Sequence, residues 1–178
     1  MKYSCPVTLH HFFTSAKHNY FTRPKFEVGT APTQYPDTLE FTAGSGLKGD
    51  RFEQRTYPIT FFSLEIAQEI EEFFEQHIDI ALYRRNIVIS GINLCELIGQ
   101  RFRIGDVLFE GMAHCNPCTW MDAVIHKGLY RQMKGRGGLR AKVIEGGTLK
   151  LDTTTLSSVK KLIKHPTEAM RLSRLPKG

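Results

Sequence analysis

Apolar and polar positions alternate over several short stretches, and one longer stretch carries a helical period. Leu39 and Phe41 alternate with Thr38, Glu40 and Thr42, which predicts a half-buried strand over Thr38–Thr42. Ile59–Phe62 is a short apolar strand running into Ser63, a good N-cap, with Glu65 in the first turn behind it. Ile66, Ile70, Phe73, Phe74 and His77 then fall on one helical face, which predicts an amphipathic helix over Leu64–Gln76. Asn86–Ser90 is β-branched and apolar, a buried strand ended by Gly91, and Leu94–Ile98 reads as one helical turn. Arg101–Ile104 and Val107–Glu110 alternate on either side of Gly105-Asp106, a hairpin signal. Trp120–Lys127 predicts a short helix ended by Gly128. Leu139–Ile144 and Thr148–Leu151 predict a second hairpin around Gly146-Gly147.

Between these elements, Asn19–Asp37 holds three prolines and a glycine without periodicity and reads as a long loop. Leu156, Val159, Leu162 and Ile163 give an amphipathic stretch that predicts a helical tail packed on the body. The expected organisation is one domain over residues 1–155, loop-rich over 1–37, followed by a basic helical tail over 156–178. Short strands joined by hairpins, with helices inserted, predict a mostly β (α+β) fold: a small β-barrel decorated by helices. The strand–helix alternation of Rossmann or thioredoxin folds is absent.

The 178 residues are 41% apolar and 24% charged, the make-up of an ordinary globule. The formal net charge of +6 suggests a nucleic-acid partner, but its distribution argues otherwise. Within Leu156–Gly178, six cations face Glu168 alone, so the tail carries nearly all the excess and the body is close to neutral. Neither a nucleic-acid nor a membrane partner is expected, since no apolar stretch is long enough to span a bilayer. Lys2, Pro6, His10 and His11 make Met1–Phe13 a poor secretory signal, so a cytoplasmic location is the default expectation.

Four cysteines are too few for a disulfide scaffold. Cys5 and Cys95 read as small buried apolar residues. Cys115 and Cys118 sit in His114-Cys115-Asn116-Pro117-Cys118-Thr119-Trp120, at the mouth of a predicted helix. Structural zinc needs four ligands, and no second pair accompanies them. Haem attachment needs histidine where Thr119 stands. The chemistry left open is soft-metal ligation, sulfur carriage, disulfide exchange, or two cysteines buried in a turn.

Three basic segments are candidate anion sites. Arg84-Arg85-Asn86 stands at the head of a strand, where a guanidinium fork and an amide can meet a ligand. Lys134–Arg140 interleaves glycines with cations, so backbone N–H groups can approach an anion. Lys48-Gly49-Asp50-Arg51 is a turn that reads most simply as a surface ion pair.

In order, Gly46–Phe52, Thr60–Glu65, Arg84–Gly91, Leu97–Gly105, Cys115–Cys118 and Gly135–Ala141 resemble the MOSC domain, named for the C-terminal domain of molybdenum-cofactor sulfurases. The resemblance covers Leu39–Leu151. His18-Asn19-Tyr20-Phe21 is similar to the start of a short, stand-alone subgroup. It implies a β-barrel and sulfur or molybdenum chemistry centred on a cysteine, matched here to Cys118 as catalytic residue and metal ligand. It also implies that Arg51, Arg84, Asn86, Arg136, Gly137 and Gly138 hold a pterin-bound molybdenum cofactor. The implied activity is reduction of small N-hydroxylated molecules, with a partner reductase supplying electrons. A sulfur carrier with a persulfide on Cys118, exchanging with a sulfurtransferase, and a CxxC thiol–disulfide protein are the alternatives. Leu149–Asp152 departs from the family's Gly-Asp, and the chain is too short for the pyridoxal-phosphate domain of the large sulfurases.

Overall fold

The hairpin expected around Gly105-Asp106 forms as β6 (Arg101–Ile104) and β7 (Val107–His114), with Phe102 opposite Phe109 and Ile104 opposite Val107. The computed structural model describes residues 1–18 and 29–162; part of the predicted loop, 19–28, and the tail from 163 onward lie outside the described residues. The remaining strands are β1 (Tyr3–Phe12), β2 (Thr38–Thr42), β3 (Gly46–Leu47), β4 (Ile59–Ser63), β5 (Ile87–Ser90), β8 (Leu139–Glu145), β9 (Gly147–Lys150) and β10 (Thr153–Ser158). Helices α1 (Leu64–Phe74), α2 (Trp120–Val124) and α3 (Leu129–Gln132) decorate them.

Seven strands close into a barrel in the order β1-β10-β6-β7-β8-β4-β5. Its pairs are antiparallel except β4–β5, which is parallel. A parallel pair needs a crossover, and α1 supplies it. Ser63 caps α1 by accepting from the Ile66 N–H at 3.2 Å. β3-β2-β9 form a small separate sheet. The barrel interior is filled by Phe61, Phe102, Phe109, Ile87, Ile89 and Leu139, all fully buried. Phe61 meets Phe109 edge-on at 5.2 Å. Each such side chain contributes roughly 1.5–3 kcal/mol by leaving water. A second cluster, with Phe62, Ile70, Tyr83, Trp120 and Met133, lies outside the barrel under α1.

Several expectations need correction. Residues 3–12 form a central barrel strand, which the sequence reading did not foresee. Leu139–Glu145 and Gly147–Lys150 do not pair as a hairpin: β8 lies between β7 and β4, while β9 joins β2. The chain changes sheet at Gly146, where a Cβ would stand 2.4 Å from the Phe41 carbonyl oxygen. Leu156 is a fully buried residue of β10, so the barrel extends past the expected boundary at 155, and Val159 is exposed instead of packed. Phe73, read as part of α1's inner face, is half exposed. The helix expected over Trp120–Lys127 stops at Val124.

Candidate functional site

Near one end of the barrel, the starts of β5 and β8 and the ends of β1 and β7 meet around β4, through the pairings of Ile87 with Phe12 and Phe61 and of Leu139 with Phe61 and His114. The loops leaving these strands carry the polar side chains. Asp50 anchors them. Its carboxylate is fully buried and accepts from Ser15 N–H at 3.1 Å, Phe52 N–H at 3.0 Å, Asn86 Nδ2 at 3.1 Å and Arg51 Nη1 at 3.3 Å. A buried carboxylate is costly unless its lone pairs are filled, and here each oxygen has a donor. The ion pair read as a surface turn is therefore internal.

Arg51 passes this order outward, its Nη2 donating to the Arg84 carbonyl at 3.0 Å. Arg84 closes a 3-10 turn over Ile80–Tyr83 in a left-handed conformation, φ 54°. That is unusual for a non-glycine residue, and the bond to its carbonyl holds it there. Arg84 Nη2 donates to Ser15 Oγ at 3.2 Å. Burial is the first cause, and Arg51 the second, that lowers the Arg84 pKa to about 10, so it remains cationic at neutral pH.

The thiol segment is held by a different arginine. Arg85 Nε donates to the Gly137 carbonyl at 2.9 Å, Nη1 to Tyr83 at 2.8 Å and Nη2 to Cys115 at 3.4 Å. Cys115 N–H donates to Gly138 at 2.8 Å. The segments around Cys115 and Gly137 thus lie against each other: a Cβ on Gly137 would stand 2.4 Å from the Cys115 carbonyl oxygen. Cys118 is half-buried and Cys115 buried; neither forms a disulfide. Cys118 stands directly before Thr119, the N-cap of the five-residue α2.

These groups enclose a cavity of about 190 Å³. Arg51, Arg84, Arg85 and Arg140 supply its charge and Cys115 and Cys118 its thiols, and among the described residues no carboxylate lines it. Phe52, Tyr83, Trp120 and Met121 form apolar wall, with His18, Thr60 and Asn116 between. Arg51 Nε and Arg140 Nε are buried with no hydrogen-bond partner among the described residues. His18 stays neutral above pH about 4, because burial first, then Arg51 and Arg84, oppose its protonation.

Of the sequence candidates, Cys118, Arg51 and Arg84 line the cavity. Asn86, Arg136, Gly137 and Gly138 do not. Asn86 is completely buried: its Oδ1 accepts from Thr60 N–H at 3.1 Å and Thr60 Oγ1 at 2.8 Å, and its Nδ2 donates to Phe13 at 3.1 Å as well as to Asp50. Through Asp50 it supports Arg51. Arg136 ties α1 to α3, donating from Nη1 to Glu69 Oε2 at 2.8 Å and from Nε to the Gln132 carbonyl at 2.8 Å. Gly137 and Gly138 are packing positions, with Gly138 (φ +108°) pressed on the Phe61 carbonyl. Arg85, Asp50 and Arg140 lay within the three candidate segments without being singled out as site residues, and Tyr83 was missed. Period-2 alternation along β8 was a signal for Arg140, since it opposes buried Leu139 and Ala141.

A family model described as the MOSC domain matches residues 45–154. Among solved structures, the YuaD protein from Bacillus subtilis is 16% identical with a TM-score of 0.67, over 90% of this chain and 100% of that one. YiiM from Geobacillus stearothermophilus is 14% identical with a TM-score of 0.61, over 86% and 75%. YiiM from Escherichia coli is 20% identical with a TM-score of 0.57, over 72% and 66%. These likenesses concern the fold. No curated protein matched the sequence. The matched residues run from β3 into β10 and include the four cavity arginines and both thiols, and the chain belongs to the MOSC domain family.

Proposed function

We propose that this protein binds a molybdenum cofactor with Cys118 as the metal's protein ligand, and that it reduces N–O bonds in small N-hydroxylated molecules. The observation that carries the reading is one cavity holding four guanidinium groups and a half-buried thiol, with no lining carboxylate among the described residues. A pterin-phosphate is anionic, and planar guanidinium forks suit it. Molybdenum takes soft sulfur ligands, and Cys118 offers one. Among the described residues no group of three or more His, Cys, Asp or Glu could hold a metal ion, so the remaining ligands must come with the cofactor. The Nε–H groups of Arg51 and Arg140, without a partner among the described residues, are donors suited to an anionic ligand. On these grounds the residues present fit the group.

When bound, the cofactor supplies two-electron chemistry at its metal. The net reaction takes two electrons and two protons, breaks the N–O bond and releases an amine and water. A partner reductase supplies the electrons. Arg51, Arg84, Arg85 and Arg140 bind the anionic group, and Asp50 and Asn86 fix two of them in place. Trp120, Met121 and Phe52 exclude water from one side of the cavity. His18, neutral at working pH, offers a ring N–H or lone pair without adding charge. The test is molybdenum analysis and pterin fluorescence on protein from a cofactor-competent host. Both present, with hydroxylamine reduction, support the reading; reduction without molybdenum sinks it.

A persulfide carrier is the second reading, because the cavity's cations would equally stabilise a persulfide anion on Cys118. Cyanide-labile sulfur lost in Cys118→Ala and kept in Cys115→Ala, in protein free of molybdenum, would favour it. Disulfide exchange draws less support, since Cys115 is buried.

A further inference from the structure

The inner cavity opens onto a second space. His18, Arg51, Phe52 and Arg140 line both, and Arg55, Thr56 and Tyr57 complete an open cleft of about 560 Å³. The cleft lies within the range of roughly 300–1,000 Å³ usual for small-molecule sites. Among the described residues, three guanidinium groups line the cleft and no carboxylate does. Arg51 is partly neutralised by Asp50, but the side chain of the exposed Arg55 has no hydrogen-bond or ion-pair partner among the described residues. The hydroxyls of Thr56 and Tyr57 add donors beside it. The rest of the wall is flat: the rings of Phe52, Tyr57 and His18, with the Arg51 guanidinium 4.7 Å from the Phe52 centroid and the His18 ring edge-on to Phe52 at 5.5 Å. Clustered forks bind phosphate, and aromatic and guanidinium planes stack on flat rings.

We infer that the cleft selects substrates that are flat and carry a phosphate, and that Arg55 and Tyr57 set this preference. The inference rests on the inner cavity being the reaction site, and it deepens that reading by naming the substrate class. The cleft holds the phosphate and ring while the reacting end reaches toward Cys118. Arg55 and Tyr57 lie in the connection between β3 and β4, outside the buried Asp50 network, so they can be changed without disturbing it.

The experiment measures binding of 1-naphthyl phosphate, 1-naphthol and inorganic phosphate to the full-length protein by calorimetry, with Arg55→Ala and Tyr57→Phe beside wild type. The phosphate ester is expected to bind at least about tenfold more tightly than either fragment, and Arg55→Ala to remove most of that advantage. Tyr57→Phe keeps the ring and is expected to weaken the ester while leaving 1-naphthol unchanged. Equal binding of ester and naphthol, or an undiminished preference in Arg55→Ala, overturns the inference. Loss of bound pterin in Arg55→Ala also overturns it, because the cleft would then belong to the cofactor. Absence of molybdenum from wild type would sink the cofactor reading but leave the ligand comparison decisive for the cleft.

Discussion

The Asn86 amide donates to the Asp50 carboxylate at 3.1 Å, and neither side chain touches solvent. This one bond joins the head of β5 to the turn that carries Arg51. It converts an asparagine with no free group for a ligand into the support of a cationic cavity. Asn86→Ala takes the acceptor from the buried Thr60 N–H and removes one of three donors to Asp50 Oδ2, so it is expected to cost about 3 kcal/mol. Urea unfolding checks this; a loss below about 1 kcal/mol would mean the bond positions nothing.

Arg85 braces the thiol segment through three carbonyls. Lysine keeps the charge but cannot reproduce the fork. Arg85→Lys is therefore expected to lower stability by about 1–3 kcal/mol and to reduce cofactor retention. Retention equal to wild type would show that the segment holds itself.

The glycines after α3 should separate by packing. Gly138 combines φ +108° with a Cβ position 2.1 Å from the Phe61 carbonyl oxygen, whereas Gly135 has φ +74° and open space. Gly138→Ala is expected to cost more than about 3 kcal/mol and Gly135→Ala about 1 kcal/mol. Thermal melts of the two variants test the order.

His18 makes stability pH-dependent. The unfolded chain takes up its proton near pH 6.5, the folded chain only near pH 4. The folded state therefore binds fewer protons in that window, and the His18 contribution, complete above the unfolded value, is lost as pH falls through it. Wild type should lose more stability than His18→Gln on acidification from neutral pH to about pH 4.5. Parallel losses would contradict the environment described.

What could be read from the sequence followed the strength of each local signal. Ser63 and the apolar face of residues 64–74 announced α1, and Gly105-Asp106 announced the β6–β7 hairpin, because cap, turn and period agreed there. β1 was hidden for a physical reason. Its register shifts between Leu9 and His11, so Phe12 and Phe13 are both buried and the alternation breaks. Pro6 inside the strand further disguises it. The β8–β9 misreading came from a glycine pair that marks a change of sheet instead of a tight turn. In the site, residue types pointed to Cys118, Arg51 and Arg84. The division between residues that face the cavity and residues that hold them, such as Asn86 and Arg136, depends on contacts far apart in the chain.

The asymmetry of the two thiols is the central claim. X-ray absorption at the molybdenum edge, on cofactor-loaded wild type, Cys118→Ser and Cys115→Ser, tests it most directly. The account predicts that Cys118→Ser loses a sulfur neighbour of the metal while Cys115→Ser keeps the wild-type shell. Loss in Cys115→Ser, or an unchanged shell in Cys118→Ser, would contradict it.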